Sequence, residues 1–541
     1  MIAKFLNGES KSISGAAIVI AAAGLVSDCA GVIRDRILAH NFGAGPVMDA
    51  YYAAFKIPDL IYNLLIVGAL TAGFIPTFTK IFQKNKDKTA AWLLANNVIN
   101  ILGVMLVILC SLGMIFTPLL TKVIAPGFVG KQLELATTFT RLMFLSPFFL
   151  GISMVMGGIL QSLRQFILYS IAPILYNVGI ILGATLLIHT PLGTTGLAAG
   201  VVLGAMLHAS IQIYGAYSNG FRWRWYFKWK DAETRLIGKL MVPRTLGLAI
   251  TQLNAVVITM LASLLPAGSV SVYNYANNLQ SMPIGLIGIP FALAVFPVLS
   301  SMAADNDDAG FIHHLGNTTR QVLFLVIPSA IIILLLRAQI VRVILGSGRF
   351  DWTATITTAN ALAFFALGLL GQCLVPLYAR AFYALSNTKT PFTLGVISEL
   401  VSIIAALVLM RPLGVAGLAL AASIGATLNG VMLIIALRRI SGSLDEDKII
   451  KLLLRAGVAT VLMGIIVQLV KNWLGAVLDL NHFVGILTQG ALAGLAGLIV
   501  YAGFCYVLKV DEMIELVGSL KSRWLKFRNV APGIDEAERL A

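Results

Sequence analysis

Apolar residues follow one another in long runs along most of the chain, from about residue 13 to residue 507. A run of about 20 apolar residues is long enough to cross the hydrocarbon core of a bilayer as a helix. The pattern therefore predicts an all-α polytopic membrane protein with about 14 transmembrane helices joined by short loops. The predicted spans lie near 13–33, 47–80, 90–120, 132–160, 165–189, 193–217, 238–265, 268–303, 315–336, 354–383, 390–410, 413–437, 450–475 and 483–508.

The overall composition points to the same class of protein. Of the 541 residues, 58% are hydrophobic and only 12% are charged, whereas about a quarter of the residues in a soluble domain are charged. This balance excludes a soluble enzyme that carries a single membrane anchor. The 50 glycines suit helices that pack closely in lipid.

Lysine and arginine are concentrated in alternate loops. If the N-terminus is cytoplasmic, most of the 39 lysines and arginines fall on the cytoplasmic side, which is the bias found in membrane proteins. With an even number of spans, both termini are then predicted to be cytoplasmic. We interpret the net charge of +15 as a signal of topology and of attraction to anionic lipid, and not as a nucleic-acid footprint. The basic segments are 1–11, 80–88, 222–244, 438–455 and 509–539.

Basic and aromatic residues alternate over 221–231, between the sixth and seventh predicted spans. Such alternation is also compatible with stacking on nucleic-acid bases, but between two spans it is typical of a belt at the membrane surface. We therefore expect Trp223, Trp225 and Trp229 to lie at that surface, with no nucleic acid bound. The tail, 511–541, begins with an amphipathic pattern that predicts a second surface-lying helix, on the cytoplasmic side.

Two similar segments indicate an internal repeat. PLGTTGLAAGVVLGA begins at Pro191 and PLGVAGLALAASIGA begins 221 residues later, at Pro412; Pro76 and Pro297 have the same offset. Duplication of a six-helix unit explains these offsets, and an even number of helices gives both copies the same orientation in the membrane. This predicts an N-terminal lobe at 1–220, a linker at 221–240, a C-terminal lobe at 241–440 and two further helices at 441–510.

Charged residues within the first two spans are the main candidates for function. Ionisable groups inside a span are costly and normally face a partner or a water-filled path. In the second span, polar residues recur every three or four positions and so share one helix face. We expect this face to line a cavity between the lobes. The candidates are Asp28, Arg34, Asp35 and Arg36 in the first run and Asp49, Tyr52, Lys56, Asp59 and Asn63 in the second.

A purely structural role for these charges is the alternative. Asp35 would then pair with Arg34 or Arg36, and Lys56 would pair with Asp49 or Asp59. A bundle built only for stability would avoid desolvating so many charges, so we favour a substrate path. A phosphate-bearing substrate suits this set, because arginine binds phosphate through a planar fork and lysine through a point charge. The eighth run, in contrast, offers neutral amides, so the first lobe is expected to hold an anionic head.

Several segments resemble signature segments of one family. IRDRILAHNFGAGPVMDAYYAAFKIPDL at 33–60 and ARAFYALSNTKTP at 379–391 are similar to segments of the MurJ (MviN) lipid II flippases, within the multidrug/oligosaccharidyl-lipid/polysaccharide exporter superfamily. LASLLPAGSVSVYNYA, from residue 261, and GILQSLRQF, from residue 158, add to the resemblance, which covers about 13–510. It implies inward-open and outward-open states in a bacterial inner membrane. These states would exchange a peptidoglycan precursor on polyprenyl diphosphate, its tail near a groove by the last two helices.

Carried over residue by residue, the resemblance assigns substrate binding to Arg34, Asp35, Asp49 and Lys56. Tyr52 and Asn278 complete the predicted binding set. Some positions depart from the family, which usually has basic residues at three places where this chain has neutral or acidic ones. Each charge-assisted contact is worth about 1.5–3 kcal/mol. These departures therefore predict weaker binding of a diphosphate, and contacts from Arg36 and Arg380 would partly offset that loss of affinity. The departures are Asp28, the pair Tyr62 and Asn63, and the pair Asn277 and Asn278.

The sequence therefore predicts a flippase that moves lipid II from the cytoplasmic to the outer leaflet by alternating access. It predicts neither catalysis nor a cofactor, because no nucleotide-binding loop or catalytic set is found. No metal site is indicated either, because the six histidines are scattered and the four cysteines lack paired spacing. Asp28 and Glu399 are the candidates for coupling to an ion.

Three alternatives stay open at this stage. The protein could carry a different polyprenyl-linked glycan, or it could carry a small cationic solute past its many aspartates. It could also be a membrane scaffold that binds a lipid head without transporting it. In each case membrane lipids are partners. The protein is expected to act as a monomer that associates with the cell-wall synthesis machinery.

Overall fold

The computed structural model describes residues 13–67, 73–84, 88–480 and 482–518. Within these ranges the regular elements are all helical. The first nine are α1 (Ile13–Phe42), α2 (Pro46–Ala54), α3 (Lys56–Ile61), α4 (Ile75–Lys84), α5 (Thr89–Ile124), α6 (Gly130–Met143), α7 (Leu145–Ser162), α8 (Phe166–Thr185) and α9 (Gly196–Ser218). The next ten are α10 (Ala232–Ser263), α11 (Ser269–Pro283), α12 (Ile289–Ala304), α13 (Asp308–Ile344), α14 (Trp352–Leu367), α15 (Leu369–Ala384), α16 (Lys389–Leu413), α17 (Val415–Ser441), α18 (Glu446–Val477) and α19 (Phe483–Val507).

Ten helical segments of the described chain are long and apolar enough to cross a membrane, or up to eleven if the bent pair of α14 and α15 is one span. The protein is thus an all-helical, multi-pass membrane protein, as the sequence predicts. The remaining predicted spans fall on α1, on the interrupted stretch from α2 to α4, and on α10. The number of crossings at these places, and so the total of 14, stays a prediction.

Proline interrupts the second and eighth predicted spans. Pro58 lies in the first turn of α3, and a π-helical turn follows it at Tyr62–Val67. Pro283 ends α11, and a second π-helical turn, Ile284–Gly288, leads into α12. Because proline has no N–H to donate to the preceding turn, a wider turn at these places is the expected response of the backbone. Each of these two predicted spans is thus broken beside a proline.

The chain divides into two compact units. The first comprises Met1–Tyr275, Ile344–Thr358 and Ala406–Leu418, and the second comprises Ala276–Val343, Ala359–Ala405 and Ala419–Ala541. These units are delimited differently from the predicted lobes, since the first continues past residue 240 to Tyr275. The lobes and their repeat remain predictions. Of the predicted tail, 511–518 is helical and the rest lies outside the described residues.

Glycines bring α8 and α9 to backbone contact in the first unit. Gly183 packs against Gly200, and Gly179 packs against Gly204, with no room for a side chain at either crossing. Small residues at such crossings let helices approach closely in lipid, where van der Waals contact drives association. Helix α1 packs against α8, so this close pair forms a firm support for the charged end of α1.

An ionic network in the second unit ties three segments of the chain together. The Nε atom of Arg320, in α13, donates to Glu512 at 2.8 Å, and its Nη1 atom donates to Asp445 at 3.2 Å. Lys448 donates to the same Asp445 oxygen at 2.9 Å. Burial works against ionisation of Asp445, but the hydrogen bonds and charges of Lys448 and Arg320 outweigh it and lower the pKa of Asp445. The start of α18 and the chain after α19 are thereby attached to α13.

This network predicts a pH dependence of stability. The pKa of Asp445 is lower in the folded protein than in an unfolded chain, where it is about 3.9. Its contribution is therefore fully present above about pH 5 and is lost as the pH falls through the folded pKa. In detergent, Asp445→Asn should unfold at a lower temperature than the wild type at pH 7. Its unfolding temperature should also fall less steeply between about pH 5 and pH 3. Asp447→Asn, at a neighbouring exposed position, is the control, and equal slopes for Asp445→Asn and wild type would contradict the role of this carboxylate.

Candidate functional site

Arg34 lies in the second half of α1 and is held by two neighbours. Its Nε and Nη2 atoms donate to one oxygen of Asp35, at 2.9 and 2.8 Å, and Nη1 donates to Oδ1 of Asn177, in α8, at 2.9 Å. Asn177 is itself fixed, because its Nδ2 atom donates to the carbonyls of Pro173 and Ser27. The side chain of Arg34 remains 23% exposed. The structure thus contains the Arg34–Asp35 pair, with a guanidinium that is oriented and still reachable.

Asp49, in the first turn of α2, is engaged by backbone. Its Oδ2 atom accepts from the N–H of Gly268 at 2.6 Å, and its Oδ1 atom accepts from the N–H of Ser271 at 2.8 Å. These N–H groups belong to the start of α11, where the first turn of a helix has donors without intrahelical partners. Asp49 is only 1% exposed. Its carboxylate therefore caps α11, and it does not pair with Lys56; a role for it as a substrate ligand remains a prediction.

Lys56 begins α3, directly after the break at Phe55. Its Nζ atom donates a long hydrogen bond of 3.4 Å to Oδ1 of Asn274, in α11. Asp59, one turn later, lies within electrostatic reach of the ammonium group, as the structural alternative anticipates. At this length the bond to Asn274 is weak, so Lys56 is held less firmly than Arg34, the other candidate cation.

Aromatic rings surround these groups within the first unit. Tyr52 packs edge-on against Tyr51 and against Tyr275, with ring centroids 5.5 Å apart in both pairs. Tyr275 also contacts Phe350, and its hydroxyl donates to the carbonyl of Gly43. Edge-to-face packing fixes the orientation of such rings. The rings hold α2 and the start of α11 against each other beside the charged residues.

The charge balance of this cluster differs from the cationic cavity that the sequence suggested. Its two cations, Arg34 and Lys56, are outnumbered by the carboxylates of Asp35, Asp49 and Asp59. The charge of Arg34 is already neutralised by Asp35, its neighbour in sequence. The spacing of residues in the sequence alone could not show whether this guanidinium is paired or free. A phosphate could bind here by the unused donors of Arg34 or by displacing Asp35, but not through a large excess of positive charge.

The other three predicted residues have different surroundings. Asn278 belongs to the second unit, in an amide-rich stretch where Gln280 donates to Asn277 and accepts from Gln372. Glu399 is half-buried in α16, also in the second unit. Asp28 is on an exposed part of α1. The structure therefore brings Arg34, Asp35, Asp49, Tyr52 and Lys56 together within the first unit.

Two polar partners of the cations were not predicted as such, although Asn274 is one of the neutral amides noted in the eighth run. Asn177 and Asn274 each bind one of the candidate cations. Both lie in long apolar runs, and an amide at membrane depth is a signal that a partner is required. Within the described ranges, no group of three or more His, Cys, Asp or Glu side chains is arranged to hold a metal ion.

The sequence model of one family, described as lipid II flippase MurJ, matches residues 38–488. The match spans most of the chain and includes most of the charged cluster. The protein belongs to the MurJ family. The resemblance read from the sequence motifs is thereby confirmed.

Relatives of this MurJ-family protein extend over nearly its whole length. The lipid II flippase MurJ of Burkholderia cenocepacia is 29% identical over 427 residues, which cover 77% of this chain and 82% of that relative. A protein of Rhizobium tropici named "Probable lipid II flippase MurJ" is 28% identical over 532 residues, covering 96% of this chain and 97% of the relative. The second alignment leaves no large region of either chain unmatched.

Solved structures share the fold. A lipid II flippase MurJ in an inward closed conformation superposes with a TM-score of 0.76 at 23% identity, covering 91% of this chain and 99% of that one. An inward-facing transporter of the multidrug resistance MATE family superposes with a TM-score of 0.66 at 16% identity, covering 80% and 99%. At these identities the comparison establishes the fold, and the substrate has to be argued from the site.

The geometry at Asp49 predicts a structural effect that is separable from substrate binding. Asp49→Ala should lower the stability of the purified protein by about 1–2 kcal/mol or more, because two buried N–H groups lose their acceptor. Thermal unfolding in detergent measures this, with Asp59→Asn as the control, since Asp59 caps no helix. Unchanged stability of Asp49→Ala would contradict the capping role.

Proposed function

We propose that this MurJ-family protein moves lipid II from the cytoplasmic to the outer leaflet by alternating access. The observation that carries the proposal is Arg34, an oriented and partly exposed guanidinium in a protein whose family and relatives are named for lipid II. The solved MurJ structure of the same fold is described as inward closed, and alternating access requires such a state. Transport of this kind needs no bond to be made or broken by the protein.

Arg34 supplies a preformed contact for a diphosphate. A guanidinium has five N–H donors, of which three are engaged, by Asp35 and Asn177. The other two can donate to a phosphate oxygen without disturbing either partner. Because Asn177 holds one edge of the group, the direction of the remaining donors is set before the substrate arrives, which lowers the entropic cost of binding.

Lys56 supplies a second, more mobile contact. Its bond to Asn274 is long, so exchanging the amide for a phosphate oxygen costs little and gains a charge-assisted hydrogen bond. Tyr52 lies between the two cations along the chain and is proposed to contact the head group. Asn278 is proposed as the last member of the binding set.

The family's missing basic residues set the expected strength of binding. Asp28, Tyr62 and Asn278 occupy places where the family usually has basic groups. Two cations therefore have to bind the head group that a larger set of basic residues usually binds. The loss of three contacts at about 1.5–3 kcal/mol each would be severe if nothing replaced them. We propose that neutral donors such as Asn274 and Asn277 replace part of it, and that affinity for the head group is correspondingly modest.

A groove in the second unit is proposed to hold an apolar lipid tail. It lies between α13 and α18, has a volume of about 450 Å³ and is lined almost entirely by aliphatic side chains. Its walls include Leu335 and Ile465. This position adjoins one of the last two helices, where the resemblance places the tail.

The topology and partners complete the proposal. The positive charge of the predicted cytoplasmic loops supports an inner-membrane protein with both termini in the cytoplasm. We propose that it functions as a monomer beside the cell-wall synthesis machinery. Reporter fusions in the loops after α4 and α9 would locate those loops directly, and signal from the outer face would contradict the orientation.

The role of Arg34 can be tested by binding of lipid II to the purified protein. Arg34→Ala should weaken binding by about tenfold or more, because a charge-assisted contact of at least 1.5 kcal/mol is lost. Arg141→Ala, at an exposed position of α6, is the matched control and should bind like the wild type. Asp35→Asn should bind at least as tightly as the wild type, because it frees Arg34 from a competing charge. Equal binding by Arg34→Ala and wild type would show that the head group is held elsewhere.

Coupling to a cation is a second proposal, and the excess of carboxylates favours it. A buried cluster with more carboxylates than basic groups attracts protons or Na⁺, because the excess negative charge is costly inside a membrane. Asp28 and Glu399 are the proposed coupling residues. The corresponding alternative function is transport of a cation as the sole substrate, which would not depend on lipid II.

Glu399→Gln should alter the dependence of lipid II transport on pH or on Na⁺ in proteoliposomes, while leaving lipid II binding unchanged. Asp28→Asn should do the same if both groups contribute. The control is Glu134→Gln, at an ionisable position near the start of α6. Identical ion dependence of wild type and both variants would exclude these two carboxyl groups from coupling.

A further inference from the structure

Residues 221–230 lead from the end of α9 to the start of α10, with no helix over 221–228 and a turn at 229–230. We call this segment the strap. Phe221 anchors its start, because the ring is fully buried and packs against Trp92 at a centroid distance of 6.1 Å. The sequence predicts a surface belt here, which would ordinarily be a flexible loop.

Three buried asparagines of α5 instead bind the backbone of the strap. Asn96 donates to the carbonyl of Arg222 and accepts from the N–H of Arg224 at 2.7 Å. Asn100 donates to the carbonyls of Arg224 and Tyr226, at 2.9 and 3.1 Å. Each side-chain amide thus replaces the neighbouring strand that an extended segment normally requires for its backbone groups.

The third asparagine, Asn97, extends the attachment to α10. It accepts from the N–H of Lys228 at 2.6 Å and donates to the carbonyl of the same residue at 3.0 Å. It also donates to the hydroxyl of Thr234 at 2.8 Å, and Thr234 donates through its N–H to Asp231, the N-cap of α10. The strap is therefore rigidly joined to the beginning of that helix. The three asparagines are at most 4% exposed.

This attachment displays an ordered row of aromatic rings. In extended backbone alternate side chains point to the same side, and the rings of Trp223, Trp225 and Phe227 follow one another at centroid distances of 6.4 and 6.3 Å. These rings, and that of Trp229, are 43–67% exposed. A rigid row of exposed rings that remains outside the core is unusual for a soluble surface.

Exposed cations alternate with the rings. Arg222, Arg224, Lys228 and Lys230 are all exposed, and the strap directly follows α9, whose helix is of membrane-crossing length. The rings and cations therefore lie where a span leaves the bilayer, at the level of the lipid headgroups. Cations at this level are attracted to anionic lipids, by about a fivefold enrichment for each group near the surface.

We propose that the strap is a preorganised binding site for the headgroups of anionic glycerophospholipids, which α5 holds in position through Asn96, Asn97 and Asn100. The rings insert among the headgroups and upper acyl chains, and the cations bind the lipid phosphates. Because Asn97 links the strap to α10, lipid bound here also stabilises the start of α10. This proposal does not depend on which substrate the protein transports.

The test is quenching of strap tryptophan fluorescence in nanodiscs, by brominated phosphatidylglycerol or brominated phosphatidylcholine at the same mole fraction. The strap signal is the difference between the full chain and a variant with Trp223, Trp225 and Trp229 changed to Phe. The anionic lipid should quench it at least about twofold more strongly. Replacing the four strap cations by Gln should abolish this preference. A control that removes as many exposed charges elsewhere should retain it: Lys80→Gln, Lys84→Gln, Arg439→Gln and Lys451→Gln together.

The contribution of the asparagines is tested separately. Asn97→Leu with Asn100→Leu keeps every cation and ring but removes two of the three attachments and leaves only that of Asn96. The anionic preference should therefore fall, and the amide of Lys228 should lose its protection from hydrogen exchange. Asn472→Leu, at an exposed position, should change neither. Equal quenching by the two lipids in the wild type would overturn the proposal, as would an unchanged preference in the variant without strap cations. If neither lipid quenches the fluorescence of the wild-type strap, the proposal is also overturned, and the strap is instead a surface for a soluble partner.

Discussion

The need to satisfy polar groups where water is scarce governs this structure. Inside a bilayer a peptide group or a charge without a partner costs several kcal/mol, so each one that is retained has to be bound by the protein. Asp49 caps α11, Asn177 and Asp35 hold Arg34, and three asparagines bind an extended backbone segment. The same requirement explains why π-helical turns occur at prolines, where the regular backbone bonds are lost.

Much of the fold could be predicted from the sequence because spans are set by length and hydrophobicity. The runs at 90–120 and 193–217 correspond to α5 and α9, and the breaks near Pro58 and Pro283 follow from missing N–H groups. The partners of buried charges could not be predicted in the same way. Asn177 is 143 residues from Arg34, and no local periodicity relates positions on separate helices.

The strap shows the same limit. Its alternating sequence predicts a surface belt, but its rigidity depends on Asn96, Asn97 and Asn100, more than 120 residues earlier. The available signal was three amides within five positions of an otherwise apolar run. Likewise, the sequence does not show whether Arg34 is free or paired with Asp35. Nor does it show whether Asp49 faces a substrate or caps a helix, because the same residues are compatible with either arrangement.

The charge balance at the site connects family to function. Membership of the MurJ family supports a lipid-linked substrate, whereas Arg34, one of the two cations of the cluster, is paired with an acid. A diphosphate head would then be recognised by a few oriented donors and by neutral amides, and release would need only the return of Asn274 to Lys56. Modest affinity suits a carrier, which has to release its substrate in each cycle.

The most direct test of this account is genetic complementation. The resident lipid II flippase of a bacterial host is depleted, this chain is expressed, its insertion in the membrane is confirmed, and growth is scored. The account predicts rescue by the wild type and its loss with Arg34→Ala at equal expression, with Arg141→Ala still active. Failure of the well-inserted wild type in its own organism's background, or full rescue by Arg34→Ala, would contradict it.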